Sequence, residues 1–396
     1  MKKNLSGIKI ARVSTVPFFV QTQLKHQLQV LGKHGADVIV ISSNGPELVS
    51  LERLVGVSCE PINISRAISP WADLIALVRL IAFFYKQKIH IAHSTTPKAG
   101  LLTALAAFMT GVPLRLHTFT GQPWVNLHGP KRWLARTCDK IIGILNTRCY
   151  TDSKSQREFL INEQIVDSER LFVIGQGSLA GVDVLRFDSN RFNENQRDII
   201  RQSLGLPSNA VVLMFVGRIT VDKGIRELLL AFQEIQSYIS NVHLVLVGPI
   251  DSGSGVTSKN PLINIENIKR VHCVGFSRNP ESYLSIADIL CLPSYREGFG
   301  SIVIEAAAMR VPTIGSDIYG LSDAIVHGVT GLLVPARNVE ELTKALDILL
   351  ADKMLRKKMG EQARQRVLEM FDARIINEKI VEEYIIMLRD KYILKK

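Results

Sequence analysis

Cysteine is scarce in these 396 residues, and what there is forms no metal site and no staple. The five thiols, at positions 59, 138, 149, 273 and 291, are odd in number and include no Cys-x-x-Cys pair. That excludes a zinc ribbon and a disulfide-framed secreted fold, and it implies a reducing compartment. Long apolar runs are also missing. The most apolar helical stretch, Trp71–Tyr85, has 15 residues and carries Asp73 and Arg79, too short and too charged to cross a bilayer. Its expected place is in a core, against a sheet, with a role at a membrane surface as the lesser alternative. The opening residues, Met1-Lys2-Lys3-Asn4-Leu5-Ser6-Gly7 and the short run Ile8 to Val13, lack the length and cleavage site of a signal peptide, so the expected location is the cytoplasm. No heptad or low-complexity tract interrupts the chain. Despite a net charge of +11 there is no zinc finger, no RNP-like aromatic motif and no basic helix with a dimerising heptad, so nucleic acid is not the expected partner.

The charge that is present is lopsided. Residues 1–182 hold 21 Lys and Arg against 11 Asp and Glu, and residues 183–396 hold 27 against 26. The positive field of the first half suits an anionic membrane surface or a phosphorylated acceptor. The length favours two domains. Short runs rich in Val, Ile and Leu alternate with helical patterns along the whole chain, nearly continuous in apolar residues rather than alternating. That is the signature of parallel strands covered on both faces. In the first half they are Ile8–Thr15, Ala36–Ser43, Ser58–Ile64, Ile89–Thr96, Leu114–Thr120, Lys140–Asn146 and Leu171–Gly177. In the second they are Val211–Arg218, Val242–Pro249, Val271–Phe276, Asp288–Pro293, Pro312–Asp317 and Gly331–Pro335. The pattern predicts an α/β chain of two doubly wound, Rossmann-like domains, 1–180 and 181–372, with a helix over 373–396 able to pack back on the first.

Three stretches could carry chemistry. Gly175-Gln-Gly177-Ser-Leu-Ala180 follows a strand and fits a dinucleotide fingerprint, but no helix start follows it and no acid-ended strand comes at the required distance, which sets hydride transfer aside. The second, Gly217-Arg218-Ile-Thr-Val-Asp-Lys223-Gly224, lies where ligands of doubly wound domains collect, beyond the carboxyl end of a strand. Arg218 and Lys223 stand there as diphosphate partners or as ordinary surface cations. In the third, Glu297-Gly298-Phe299-Gly300-Ser301, a loop leads into a helix whose first N–H groups and dipole suit an anion. Glu305 lies within that helix, seven residues separating it from Glu297. Two acids around an anion-accepting turn are placed to bind hydroxyls rather than phosphate.

Arg218 with Lys223, then Glu297-Gly-Phe-Gly and Glu305, then Pro312 and Gly331-Leu-Leu-Val-Pro335, resembles the nucleotide-sugar-binding half of the family 4 retaining glycosyltransferases of GT-B fold. Ile89-His-Ile-Ala-His93 and Leu114-Arg-Leu-His117-Thr extend the resemblance over most of the chain. It implies two Rossmann-like domains facing across a cleft and a hexosyltransferase that releases a nucleoside diphosphate with retention of configuration. By the same resemblance Arg218 and Lys223 neutralise the diphosphate, with Gly217 beside them, and Gly298, Phe299, Gly300 and Ser301 supply backbone contacts to the donor. Glu297 meets the transferred sugar, Glu305 the ribose, and His117 lines the sugar pocket, so that catalysis rests on Glu297, Lys223, Arg218 and His117. His93 reads as structural. No Asp-x-Asp motif stands beside this site, so no obligatory metal and no cofactor beyond the nucleotide sugar are expected.

One departure stands out, since the family often carries a glycine-rich turn after its first strand. This chain has Ser14-Thr15-Val16-Pro17-Phe18-Phe19-Val20-Gln21, in which the two phenylalanines either shape an apolar acceptor path or pack the following helix. Clusters such as Lys131-Arg132-Trp133 with Arg136, and Lys86 with Lys88, are able to hold a peripheral enzyme at the cytoplasmic face of an inner membrane. Together with His93-Ser-Thr-Thr-Pro-Lys98-Ala-Gly100 and Gly320-Leu-Ser-Asp323, the pattern is similar to bacterial enzymes of O-antigen, capsule and other lipid-carrier-linked glycans. The implied acceptor is a polyprenyl-diphosphate-linked sugar or glycan, and the leading donor a UDP-sugar. Two alternatives stay open: a nucleotide-sugar 2-epimerase of the same fold, and a non-catalytic nucleotide-sugar-binding protein.

Overall fold

The computed structural model describes residues 5–65, 69–250, 265, 268–391 and 393. Met1–Asn4, the head of the stretch without signal-peptide character, and the last residues of the expected C-terminal helix, 392 and 394–396, lie outside the described residues. The chain divides into two units, Met1–Gly181 with Ala373–Lys396, and Val182–Asp372.

The first unit is built on seven strands: β1 Lys9–Val13, β2 Asp37–Ser42, β3 Val57–Pro61, β4 Ile91–Thr95, β5 Leu114–Phe119, β6 Arg148–Thr151 and β7 Leu171–Val173. All pair in parallel, in the order β3-β2-β1-β4-β5-β6-β7. The apolar runs of β1, β2 and β4 are buried along nearly their whole length because helices cover both faces. One face packs Leu24, Leu28 and Leu31 together with Ile376, Ile380, Tyr384 and Leu388 of the helix Ala373–Asp390. Phe19 packs at the margin of that cluster, whereas Phe18 is partly exposed.

Two expectations need correction. Lys140–Asn146 is not a strand: its first six residues close the helix Gly129–Leu145, Asn146 follows as the extended residue after it, and the sixth strand is Arg148–Thr151. A short apolar run does not by itself separate helix from strand, and here Asp139, Ile142 and Gly143 are buried at helical spacing. The helix Pro70–Gln87 is also only half a core helix. Ala76, Leu80 and Phe84 are buried, while much of its remaining apolar surface faces solvent.

The second unit holds β8 Val211–Val216, β9 Val242–Val247, β10 Val271–Gly275, β11 Ile289–Leu292, β12 Thr313–Ser316 and β13 Gly331–Val334, again all parallel, in the order β10-β9-β8-β11-β12-β13. Its core is self-contained between Val182 and Phe371. The strand order reverses between β8 and β11. Connections of opposite sense leave a crevice at the carboxyl ends of two such neighbours, and the loops leaving β8 and β11 carry the residues singled out in the sequence.

Candidate functional site

The loop after β8 runs to Gly224, where the helix Ile225–Tyr238 begins. Gly224 has φ +68°, and a Cβ there would lie 2.0 Å from the carbonyl oxygen of Pro293. Only glycine lets the two loops approach this closely. The contact continues outward: the Tyr295 amide donates to the Asp222 carbonyl (2.9 Å), and the Arg296 guanidinium meets the Asp222 carboxylate (3.2 Å). Burial works to raise the Asp222 pKa. The Thr220 hydroxyl at 2.5 Å and the Lys223, Arg296 and Arg218 cations outweigh it, and the net shift is downward.

Inside this frame Lys223 Nζ lies 2.5 Å from Glu297 Oε1, which also accepts from Ser294 Oγ at 2.9 Å. Both side chains are mostly covered, and Arg218, on the loop that carries Lys223, is exposed. Tyr295 anchors the second loop from behind. Its hydroxyl donates to Glu227 at 2.6 Å, and the Arg337 guanidinium lies 4.4 Å from its ring centre. Burial and the Glu227 carboxylate push the phenol pKa upward, so it keeps its proton to donate.

Gly300, at φ +83°, turns the chain into the helix Ser301–Ala308. The first N–H groups of that helix have no carbonyl partner four residues back within it, and the helix begins four residues after Glu297. Phe299 points the other way, into the core, its ring 5.2 Å from that of Phe371, so its side chain anchors the turn. Glu305 sits on the same helix, half-buried, where burial raises its carboxyl pKa to about 7. The nearby Arg186 cation pulls it back and Glu281 adds to the rise. Arg186 itself donates to Glu281 at 2.8 Å.

The structure thus gathers Gly217, Arg218, Lys223, Glu297, Gly298, Gly300 and Ser301 on two adjoining loops, with Glu305 on the helix that follows. His117 is placed in the first unit, within β5. Its Nδ1 is 2.9 Å from Ser94 Oγ, and a Cβ on Gly100 would lie 2.5 Å from its Cε1. Burial, with the Arg12 cation, lowers its pKa to about 3, so the ring is uncharged. His93 is equally buried, held between Thr118 and Tyr384. Gly175 and Gly177 lie in an irregular turn with no helix behind it, consistent with setting the dinucleotide fingerprint aside.

Sequence reasoning missed Asp222 with Arg296, Glu227 with Tyr295, and Arg186 with Glu281. Each pair is separated by 68 to 95 residues, and no local pattern announces it. The strand order was the available signal, since it puts the β8 and β11 loops side by side.

Two all-parallel sheets, the second with a charged site at its reversal point, define a double Rossmann-like protein able to hold a phosphorylated ligand. Residues 196–366 match the family model of glycosyl transferases group 1, and residues 20–177 that of the glycosyl transferase 4-like domain. The capsular polysaccharide biosynthesis glycosyltransferase CapM of Staphylococcus aureus is 30% identical over 369 residues, covering 93% of this chain and 94% of that protein. The UDP-Gal:alpha-D-GlcNAc-diphosphoundecaprenol alpha-1,3-galactosyltransferase of Escherichia coli is 27% identical, covering 99% and 100%. In fold, Anabaena Alr3699/HepE, crystallised with UDP and glucose, superposes with a TM-score of 0.79 at 19% identity, over 95% of this chain and 99% of that one. The chain belongs to the family 4 glycosyltransferases of GT-B fold.

Proposed function

We propose that the protein transfers a sugar from a UDP-sugar to a lipid-carrier-linked glycan, with retention of configuration and without an obligatory metal, in surface polysaccharide assembly. The observation that carries this reading is the Lys223–Glu297 pair at the reversal point of the second sheet, flanked by Arg218 and a helix N-terminus. As the bond from the anomeric carbon to the diphosphate breaks, negative charge grows on the leaving oxygen. Lys223, Arg218 and the first N–H groups of the helix Ser301–Ala308 are fixed cations and dipoles that stabilise it, the work a metal would otherwise do. The acceptor hydroxyl forms the new bond on the same face and gives its proton to a diphosphate oxygen. Glu297, held by Lys223 and Ser294, faces hydroxyls of the sugar, and Glu305 those of the ribose. The donor and acceptor classes are supported by the name of the E. coli relative, which specifies UDP-galactose and a diphosphoundecaprenol-linked acceptor.

The test is nucleotide release. Purified protein given a panel of UDP-sugars should liberate UDP only when a membrane extract supplies acceptor. Lys223→Ala should lower turnover by about a hundredfold, and Lys223→Ala with Arg218→Ala should abolish it. Full activity in the double variant removes the donor-site assignment, and isomerisation of the donor without acceptor removes transfer itself.

A further inference from the structure

The helix Pro70–Gln87 carries more apolar surface than the sheet beneath it takes. Ala76, Leu80 and Phe84 are buried, and Leu77, Ile81 and Phe83 pack beside them. On the opposite face Trp71 is 79% exposed, Leu74 50%, Ile75 57%, Val78 57% and Tyr85 79%. At about 100° per residue these positions, with the exposed Ala82, fall within one stripe roughly 100° wide, and at about 1.5 Å per residue it runs roughly 21 Å. Exposed apolar surface of this continuity on a soluble face marks a contact site rather than ordinary surface.

The charges decide what the contact is. Arg79 and Lys86 lie along one edge of the stripe, and Lys88 follows at its end, all three exposed. The one acid of the helix, Asp73, is held by Lys98 at 2.8 Å. The face therefore presents an apolar band with an aromatic residue at each end and cations beside it. A second copy is a poor occupant, because an isologous pairing sets these cations against their own copies with no exposed acid on the helix to match them. The band also cannot cross a membrane, since no described helix is long and apolar enough.

We propose that this stripe is the surface by which the protein lies on an anionic lipid bilayer, the helix axis in the plane of the interface. Trp71, Leu74, Ile75, Val78 and Tyr85 enter the boundary between headgroups and acyl chains, and Arg79, Lys86 and Lys88 reach the anionic headgroups alongside. The helix begins after the carboxyl end of β3 and returns the chain toward the amino end of β4, so its Trp71 end lies at the sheet edge where α/β domains take ligands. A lipid-linked acceptor would then be met where it is anchored. That purpose rests on the proposed function, whereas the lipid contact does not.

Flotation with vesicles tests it, using phosphatidylglycerol mixed with phosphatidylethanolamine against phosphatidylcholine alone, with calorimetric UDP binding measured on every variant. The intact protein should float with the anionic vesicles. Ile75→Asp with Val78→Asp should stay at the bottom of the gradient while binding UDP unchanged. Arg79→Gln with Lys86→Gln should weaken binding to anionic vesicles by about twenty-fivefold, from about fivefold per cation, and this pair keeps the test decisive if the aspartate variant folds poorly. The proposal is overturned if the intact protein does not float, if either variant floats as well as the parent, or if light scattering without vesicles shows a dimer that Ile75→Asp with Val78→Asp dissociates. Flotation of the intact protein without UDP binding would instead count against the donor site.

Discussion

At the scale of single residues, the two acids of the 297–305 stretch stand in different environments although eight positions apart. Glu297 is held by a cation and a hydroxyl, whereas Glu305 is set by burial, which raises its pKa to about 7. The sign of the consequence follows from that direction. Between the ordinary carboxyl value of 4.5 and about 7 the unfolded chain has Glu305 ionised while the folded protein keeps it largely protonated. Its contribution to stability is therefore complete below the lower value and is lost as pH rises through the upper one. On the proposed assignment, in which ribose hydroxyls donate to the ionised form, nucleotide binding reverses part of the shift and should release a proton. UDP affinity should rise about fourfold between about pH 6.5 and about pH 8, beyond what the diphosphate's own titration contributes. Calorimetry in two buffers of different ionisation enthalpy reads this, and an unaltered profile in Glu305→Gln would assign the proton elsewhere. The motif residues Lys223, Glu297 and Glu305 were legible because they sit at fixed offsets around a strand end and a helix start. Their supports, Arg186, Glu281, Glu227 and Asp222 with Arg296, were not, because each depends on a partner that only the sheet brings near.

At the scale of elements, the strands were legible because burial on both faces writes them locally as continuous Val, Ile and Leu, while 140–146 shows the limit of that signal. An equally apolar run there closes a helix, and the true strand Arg148–Thr151 is short and begins with a charge. The two loops of the site need their glycine more than any propensity reveals. Gly224→Ala meets two obstacles: a left-handed backbone at φ +68° and the Pro293 carbonyl oxygen 2.0 Å from the new Cβ. Gly205 has φ +65° and nothing within 4 Å of such a Cβ, so Gly205→Ala carries the backbone strain alone. Gly205→Ala should therefore cost about 1 kcal/mol. Gly224→Ala should cost about 2 kcal/mol more and push the β8 and β11 loops apart, weakening UDP binding as well as stability. Thermal unfolding of the two variants side by side measures the difference, and equal losses would mean that the loops yield to the added methyl.

At the scale of the whole chain, the second unit closes its core between Val182 and Phe371, but the first unit does not close without residues from the far end of the sequence. The helix Ala373–Asp390 puts Ile376, Ile380, Val381, Tyr384, Ile385 and Leu388 into the first unit's core. It is fastened by Tyr384 to His93, and by Arg148 to Glu383 at 2.6 Å. Its helical character was readable, but its docking surface was not, since the first unit's matching face is assembled from Leu24, Leu28 and Leu31 hundreds of residues earlier. A chain ending at Asp372 should lose the cooperative unfolding of its first unit, because seven large apolar side chains, Met387 with the six just named, leave one core and expose their partners at roughly 1.5–3 kcal/mol each. The second unit keeps every residue of its own core and the whole of the proposed donor-side constellation, so the fragment Val182–Asp372 should fold and bind UDP within a few-fold of the intact protein. Scanning calorimetry with and without UDP on the intact chain, the truncation and the fragment separates the two units, since only the transition of the second should move with nucleotide. A fragment that folds with native circular dichroism yet leaves UDP unbound would place an essential part of the donor site in the first unit.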